Sequence, residues 1–110
     1  MKKHQSEACA SLCPVHTALG VIGGKWKLVI LWNLQSGTKR YSELKRMIGD
    51  VTPKMLSQQL KELEKDGIVE RKVYPVVPPK VEYRLTAYGK KLEPVIGELA
   101  KFGTGHMARA

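Results

Sequence analysis

Apolar residues recur at helical spacing through most of the chain, which predicts a mainly α-helical fold with one small β-hairpin. A first helix begins after Cys13, carries apolar residues from Val15 to Ile22 and ends at a Gly-Gly pair. A second helix, KWKLVILWNLQ, is apolar nearly all round and ends at Gly37. Such a pattern predicts the buried central helix of the domain.

Two shorter helices follow, joined by a short turn. In TKRYSELKRMIGD, Ser42 is the predicted N-cap and Gly49 ends the helix. Its predicted inward-facing residues are Leu44, Met47 and Ile48. In VTPKMLSQQLKELEKDG, Thr52 can cap the exposed amides, Pro53 suits the first position, and Gly67 supplies a left-handed residue at the end. The two segments together predict a helix-turn-helix.

After this pair the hydrophobic period changes to that of a strand. KVEYRLT alternates and is predicted to pair with IVERKVY across the proline-stiffened loop PVVPP. Its two faces hold Val81, Tyr83 and Leu85 on one side and Lys80, Glu82 and Arg84 on the other. Thr86 then caps a last helix, in which Pro94 is expected to cause a kink or a restart. The apolar stripe of this helix is Leu92, Val95, Ile96, Leu99 and Phe102.

The length of 110 residues suits one domain. We predict that domain over residues 13–103, between a flexible arm at residues 1–12 and a frayed tail at residues 104–110. No apolar run approaches the ~20 residues of a membrane helix, and the N-terminus lacks the apolar region of a secretory signal. We therefore expect a cytoplasmic protein whose cysteines, Cys9 and Cys13, are reduced.

The chain is strongly basic, with 19 Lys and Arg against 10 Asp and Glu, a formal charge of +9. Such a bias points first to a polyanion such as nucleic acid and second to an anionic membrane surface. Residues 38–61, which contain the predicted helix-turn-helix, hold six basic and two acidic residues, a net +4. The excess positive charge therefore coincides with the helix pair.

The helix predicted at residues 52–66 has two different faces. One face carries Leu56, Leu60 and Leu63, and the other carries Lys54, Ser57, Gln58, Lys61 and Lys65. Amide, hydroxyl and ammonium groups hydrogen-bond base edges and phosphates, and the carboxylates lie only in the C-terminal half. Since a recognition helix enters the major groove with its N-terminal residues, this pattern favours DNA binding. An ordinary solvated helix face is the alternative.

Several motifs occur in one order: Cys-Pro, GGKWK, YSEL, TPKMLSQQL and PPKVEYRLT. From Cys13 to Phe102 the chain resembles the HxlR-type winged helix-turn-helix transcriptional regulators of bacteria. The resemblance implies a homodimeric DNA-binding regulator, with repression as the expected effect, that dimerises through its N-terminal and C-terminal helices (Val15–Ile22 and Leu92–Phe102). Two recognition helices roughly 34 Å apart would match a pseudo-palindromic operator.

Matching positions in the family give candidate DNA contacts. The candidate major-groove residues are Pro53, Lys54, Met55, Ser57, Gln58 and Gln59. The candidate phosphate or wing contacts are Lys39, Arg40, Ser42, Lys61 and Lys80. Gln58 is the first choice for a base contact, because an amide can bond bidentately to adenine.

Some members of the family sense oxidants or electrophiles through the cysteine that matches Cys13. A helix N-terminus favours the reactive thiolate, and a protonated His16 would help. Cys9 is a second candidate, and a bridge to it within or between subunits stays open, as does a purely structural role for Cys13. His4, Cys9, Cys13 and His16 match no compact zinc pattern, so no metal or cofactor is predicted.

Three other functions compete with a thiol-sensing regulator. A regulator of the same fold could respond to a small ligand, with the cysteines incidental. A small thiol enzyme could use His4, Glu7 or His16, although no spacing marks them as a catalytic set, and we predict no enzyme. A protein-interaction module with incidental positive charge is the third.

Overall fold

A computed structural model describes residues 13–109 of the chain. The elements are α1 (Pro14–Ile22), α2 (Lys27–Leu34), β1 (Lys39–Arg40), α3 (Tyr41–Ile48), α4 (Pro53–Lys65), β2 (Val69–Tyr74), β3 (Lys80–Leu85), a 3-10 helix (Gly89–Leu92) and α5 (Glu93–Arg109). A mainly helical domain with a small antiparallel sheet is therefore confirmed.

The sheet has three strands where the sequence predicted two. Its order is β1-β3-β2, and both neighbours of β3 are antiparallel to it. β1 pairs Lys39 with Tyr83 and Arg40 with Glu82. The sequence pattern missed β1 because two residues are too few to show alternation. This strand joins the middle of β3 directly to the start of α3.

The core lies between α2, α4 and the inner face of the sheet. Leu56, Leu60 and Leu63 of α4 are completely buried, as the leucine spacing predicted. The other members with almost no exposed surface are Ile30, Leu31, Leu34, Leu44, Val51, Ile68 and Val69. Tyr83 and Leu85 of β3 close the core from the sheet side.

The predicted ends of α4 are confirmed. The Thr52 hydroxyl accepts a hydrogen bond from the Met55 amide at 3.1 Å, and Pro53 is the first helical residue. Gly67 has φ +76°, a left-handed conformation that favours glycine. The Ile68 amide then donates to the Leu63 carbonyl at 2.9 Å, which ends the helix firmly.

The start of α3 differs from the prediction. Its N-cap is Arg40, not Ser42, because β1 runs straight into the helix. The guanidinium of Arg40 cannot accept a hydrogen bond from the amides of the first turn. Only the reciprocal bond is made, in which the Glu43 carboxylate accepts from the Arg40 backbone amide at 2.8 Å. Met47, predicted to face inward, is also exposed, since Tyr41, Leu44 and Ile48 are the α3 residues that pack on the core.

Helix α2 is central but is not buried on all sides, which corrects the prediction. Val29 and Trp32 are exposed, with 52% of Trp32 accessible. They border a shallow apolar groove between α2 and α5 that also includes Leu99 and Met107. The all-round apolar pattern therefore reflects a core on one side and this groove on the other.

A junction of hydrogen bonds connects the end of α4 to the C-terminal segment. The Thr86 hydroxyl donates to the Gly67 carbonyl at 2.6 Å and accepts from the Gly89 amide at 2.9 Å. The predicted capping role of Thr86 is thus seen at the 3-10 helix that precedes α5. A Cβ at Gly89 would overlap the carbonyl oxygen of Ile68, so only glycine allows this close approach.

Helix α5 is longer than predicted. Pro94 is its second residue, following the 3-10 helix, so the predicted restart is found there. Residues 104–109, expected to be a frayed tail, continue the helix to Arg109. Good helix formers such as Met107 and Ala108 favour this continuation, although Gly103 and Gly105 lie within it. No helix within residues 13–109 is long and apolar enough to cross a bilayer.

We expect Leu60→Ala to lower the free energy of unfolding by about 2–5 kcal/mol, because it opens a cavity under α4. Urea denaturation followed by circular dichroism would measure this, with a lower midpoint and an unchanged slope. Lys61→Ala, at the neighbouring exposed position, is the control and should stay within about 0.5 kcal/mol of the parent. Equal effects of the two would contradict the packing described here.

Candidate nucleic-acid interface

The outward face of α4 presents the predicted groove residues to solvent. Lys54, Ser57 and Gln58 are exposed, whereas Gln59 is half-buried. Pro53 is exposed at the start of the helix, and Met55 lies at the edge of its exposed face. Gln59 is therefore the candidate that is least available to a ligand, because it lies closer to the leucine face.

Tyr41 connects α3 to the first turns of α4. Its hydroxyl donates to the Pro53 carbonyl at 3.0 Å and accepts from the Ser57 hydroxyl at 3.2 Å. The proton of Ser57 is thus engaged, and its remaining lone pairs can only accept a hydrogen bond. Tyr41 was not predicted from the sequence, where its only signal is an aromatic hydroxyl at the first position of the helix that precedes α4.

The negative charge of one carboxylate on this side of α4 is balanced by a lysine. Glu62 Oε1 lies 2.7 Å from the ammonium of Lys27, whose side chain is only 8% exposed. Glu62 Oε2 accepts a long hydrogen bond, 3.4 Å, from the side-chain amide of Gln58. The hydrogen bond from Lys27, and then that from Gln58, hold the pKa of Glu62 below its usual value.

Three candidate phosphate contacts lie around one cleft. Arg40 and Ser42 at the start of α3 line it together with Lys80 and the proline-rich loop of the hairpin. Lys80 is partly engaged, because its ammonium lies 3.2 Å from a Glu82 oxygen and 4.8 Å from the centre of the Tyr74 ring. The N-terminus of α3 and the hairpin therefore form one basic surface.

The other two candidate phosphate contacts lie elsewhere. The Lys39 ammonium donates to the Ser36 hydroxyl at 3.0 Å. Lys61 lines a second cleft, between α4 and the sheet, together with Ser57 and Arg71. Arg71 is a basic residue that was not selected from the sequence. It is the cross-strand partner of Tyr83 and therefore lies on the sheet face towards α4.

Cys13 occupies the N-cap position of α1 and is half-buried, with Pro14 as the first helical residue. Its side chain makes no capping hydrogen bond and forms no disulfide in the part of the chain that the structure describes. His4, Glu7 and Cys9 lie outside the described residues. Across residues 13–109 there is no cluster of three or more His, Cys, Asp or Glu that could hold a metal ion.

A helix with a buried leucine face, held by a preceding helix and followed by an antiparallel hairpin, defines the winged helix-turn-helix class of transcriptional regulators. The family model described as HxlR-like helix-turn-helix matches residues 21–110. Over 95 residues the chain is 55% identical to YtcD of Bacillus subtilis (strain 168), an uncharacterized HTH-type transcriptional regulator, covering 86% of this chain and 75% of YtcD. The chain therefore belongs to the HxlR-like helix-turn-helix family.

Solved structures agree with this assignment. A crystal structure of YtcD superimposes with a TM-score of 0.83 at 53% identity, covering 87% of this chain and 98% of that one. The redox regulator HypR in its oxidized form superimposes with a TM-score of 0.82 at 48% identity, covering 84% of this chain and 96% of that one. YtcD is an HTH-type transcriptional regulator and HypR is a redox regulator, so the comparisons confirm the predicted class of regulator and do not favour the thiol-enzyme alternative.

We expect Tyr41→Phe to destabilise the domain by about 0.5–1.5 kcal/mol for each of the two hydrogen bonds that it removes. The ring stays in place, so chemical denaturation should show a shifted midpoint without a change in slope. Tyr88→Phe, which removes an exposed hydroxyl, is the matched control and should have no measurable effect. If both variants behave alike, the Tyr41 hydroxyl does not contribute to joining α3 and α4.

Proposed function

We propose that this transcriptional regulator binds a pseudo-palindromic operator as a homodimer, with α4 of each subunit in the major groove, and represses transcription. The observation that carries the proposal is the outward face of α4. It offers amide, hydroxyl and ammonium groups from a capped helix whose leucine face is fully buried, and one carboxylate beside it, Glu62, is paired with Lys27. A face of that chemistry suits base edges and phosphates.

Direct reading of bases is assigned to the first turns of α4. Gln58 would contact adenine, and Lys54 would approach guanine or a backbone phosphate. The remaining members of the proposed groove set are Pro53, Met55, Ser57 and Gln59. Ser57 would act as an acceptor, since its proton is engaged by Tyr41.

The backbone contacts are assigned to the basic surface around α3 and the hairpin. Arg40, Ser42 and Lys80 would hold one stretch of phosphates, and Lys39 and Lys61 would extend the contact on either side. Lys80 would exchange Glu82 for a phosphate on binding. These contacts position the domain on the duplex and carry no sequence information by themselves.

The homodimer is supported by exposed apolar side chains on the first and last helices. Val15 and Leu19 of α1 are exposed, and 72% of Phe102 on α5 is accessible. The groove between α2 and α5, bordered by Trp32 and Leu99, adds further exposed apolar surface along α5. Exposed apolar surface of this kind on a small domain suits an interaction site, and α1 and α5 are the helices that the family resemblance assigns to dimerisation.

Redox control is proposed through Cys13. Structures of HypR in its oxidized and reduced forms are both similar to this chain. The Cys13 thiolate would attack a peroxide, breaking its O–O bond to give a sulfenic acid and, after protonation, water or an alcohol. A second thiol would then displace water from the sulfenic acid to form a disulfide. That thiol is either Cys9 or Cys13 of the partner subunit. The cross-link would change how the two subunits are joined and thereby the operator affinity.

Control by a small ligand is a second candidate, favoured by one observation. An apolar cleft of about 560 Å³ lies between α1 and the segment before α5, lined by Ala18, Val21, Ile68, Tyr88 and Leu92. This volume lies in the range of small-molecule sites. An apolar ligand there would contact α1, the helix whose N-cap is Cys13.

We expect Gln58→Ala to weaken binding to the operator by about 5- to 150-fold and to leave binding to scrambled DNA almost unchanged. Arg40→Ala should weaken both and reduce the salt slope by about 1, because a phosphate contact is not sequence-specific. Fluorescence anisotropy with duplex from the gene's own upstream region, over a salt series in reductant, measures both effects.

The same titration at high duplex concentration gives the stoichiometry, for which two chains per operator are expected. Lys65→Ala, at the far end of α4, is the matched control and should leave the specific binding within about twofold. Equal affinity of the parent protein for operator and scrambled DNA at all salt concentrations would reject the assignment of α4 as the recognition helix.

We expect Cys13→Ser to abolish the effect of a peroxide on operator binding while leaving the affinity in reductant unchanged. Cys9→Ser is the companion variant: loss of the response identifies Cys9 as the second thiol, and a retained response indicates a bridge between two Cys13 residues. Non-reducing electrophoresis distinguishes the two products. A peroxide response that survives Cys13→Ser would reject the proposed sensor.

A further inference from the structure

A buried lysine, a carboxylate and the proposed base-reading amide form a chain that leads from the core to the outer face of α4. Lys27 is the first residue of α2 and is the one buried charged residue among residues 13–109. Its ammonium contacts Glu62 Oε1 at 2.7 Å, and the other oxygen of Glu62 accepts from Gln58 Nε2 at 3.4 Å. Each carboxylate oxygen therefore has its own partner.

The position of Lys27 is fixed by packing, so its partner is fixed too. A buried ammonium destabilises the folded state unless it is paired. The contact with Glu62 is therefore more strongly favoured than an ion pair between two exposed side chains. Glu62 is itself 43% exposed and would otherwise sample several rotamers. By contrast, the exposed pair of Lys101 and Glu98 on α5 has no buried member to hold it.

Glu62 in turn determines which end of the Gln58 amide faces it. An ionised carboxylate can only accept hydrogen bonds, so the NH₂ group of Gln58 must point towards Glu62 and the carbonyl oxygen away. The second N–H and the carbonyl oxygen stay free. These are the donor and the acceptor that a bidentate contact with adenine uses.

We propose that Lys27 and Glu62 are positioning residues for sequence recognition: they hold the Gln58 amide in the orientation that reads its base pair. The inference rests on the proposed role of Gln58 in the major groove. Lys27 also keeps Glu62 neutralised next to the DNA, where a free carboxylate would repel phosphates. The pairing thus links sequence discrimination on α4 to the start of α2.

The experiment compares the full-length, reduced protein on its upstream operator and on a set of single-base-pair variants of that duplex. Gln58→Ala first identifies the base pair at which discrimination is lost. At that position we expect Lys27→Met and Glu62→Gln to reduce discrimination by about fivefold or more, a substantial part of what one bidentate contact provides. Lys27→Arg keeps the ion pair and should retain most of the discrimination at that base pair.

Two further readouts separate positioning from a merely structural role. In the Gln58→Ala background, Lys27→Met should cause no additional loss of discrimination, because the two residues act through the same contact. Glu62→Gln should strengthen binding to scrambled DNA, since it removes a negative charge from the interface. Lys25→Met, two residues before Lys27 and exposed, is the matched control and should change neither quantity.

The outcomes distinguish this inference from the proposed function. If Gln58→Ala reduces discrimination but Lys27→Met lowers only the denaturation midpoint, the pair is structural and the inference is rejected while the proposed function stands. Additive effects of Lys27→Met and Gln58→Ala would reject it in the same way. If Gln58→Ala leaves discrimination intact at every base pair, both the base contact and its positioning are rejected.

Discussion

The rotation of α4 about its own axis is the constraint on which the rest of the site depends. Leu56, Leu60 and Leu63 are completely buried, and the start and end of the helix are fixed by the Thr52 cap and by Gly67. Because a helix has one rotation that buries a given stripe, the identity of every outward residue follows from the leucines. A shift of one residue would turn the helix by about 100° and bury the polar side chains instead.

Much of this could be predicted from the sequence because the signals are local. The cap, the first proline, the leucine stripe and the closing glycine of α4 all lie within residues 52–67, and the alternation of KVEYRLT identifies the hairpin. The features that were missed depend on partners far apart in the chain. β1 exists only through its pairing with β3, Tyr41 acts through Ser57, and Lys27 meets Glu62 across 35 positions of sequence. No periodicity reports such contacts.

Three acidic residues around the proposed interface are engaged, which reduces their effect on the positive charge there. The Glu43 carboxylate accepts from the Arg40 amide, Glu62 pairs with Lys27, and Glu82 pairs with Lys80. In the first two cases the partner is a backbone amide or a buried ammonium, so the exposed basic side chains of α3 and α4 are not consumed. The formal charge of +9 therefore understates how unevenly charge is distributed over this small domain.

The hydrogen bonds of Thr86 attach the segment before α5 to the end of α4, the proposed recognition helix. The Thr86 hydroxyl connects the carbonyl of Gly67 to the amide of Gly89, and the absent Cβ of Gly89 lets the segment before α5 lie directly against Ile68. With 17 residues, α5 is about 25 Å long. A swing of about 10° at its base would move its far end by roughly 4 Å. In the proposed homodimer, a displacement of that far end by the second subunit would reach the end of α4 through the hydrogen bonds of Thr86 as a small rotation.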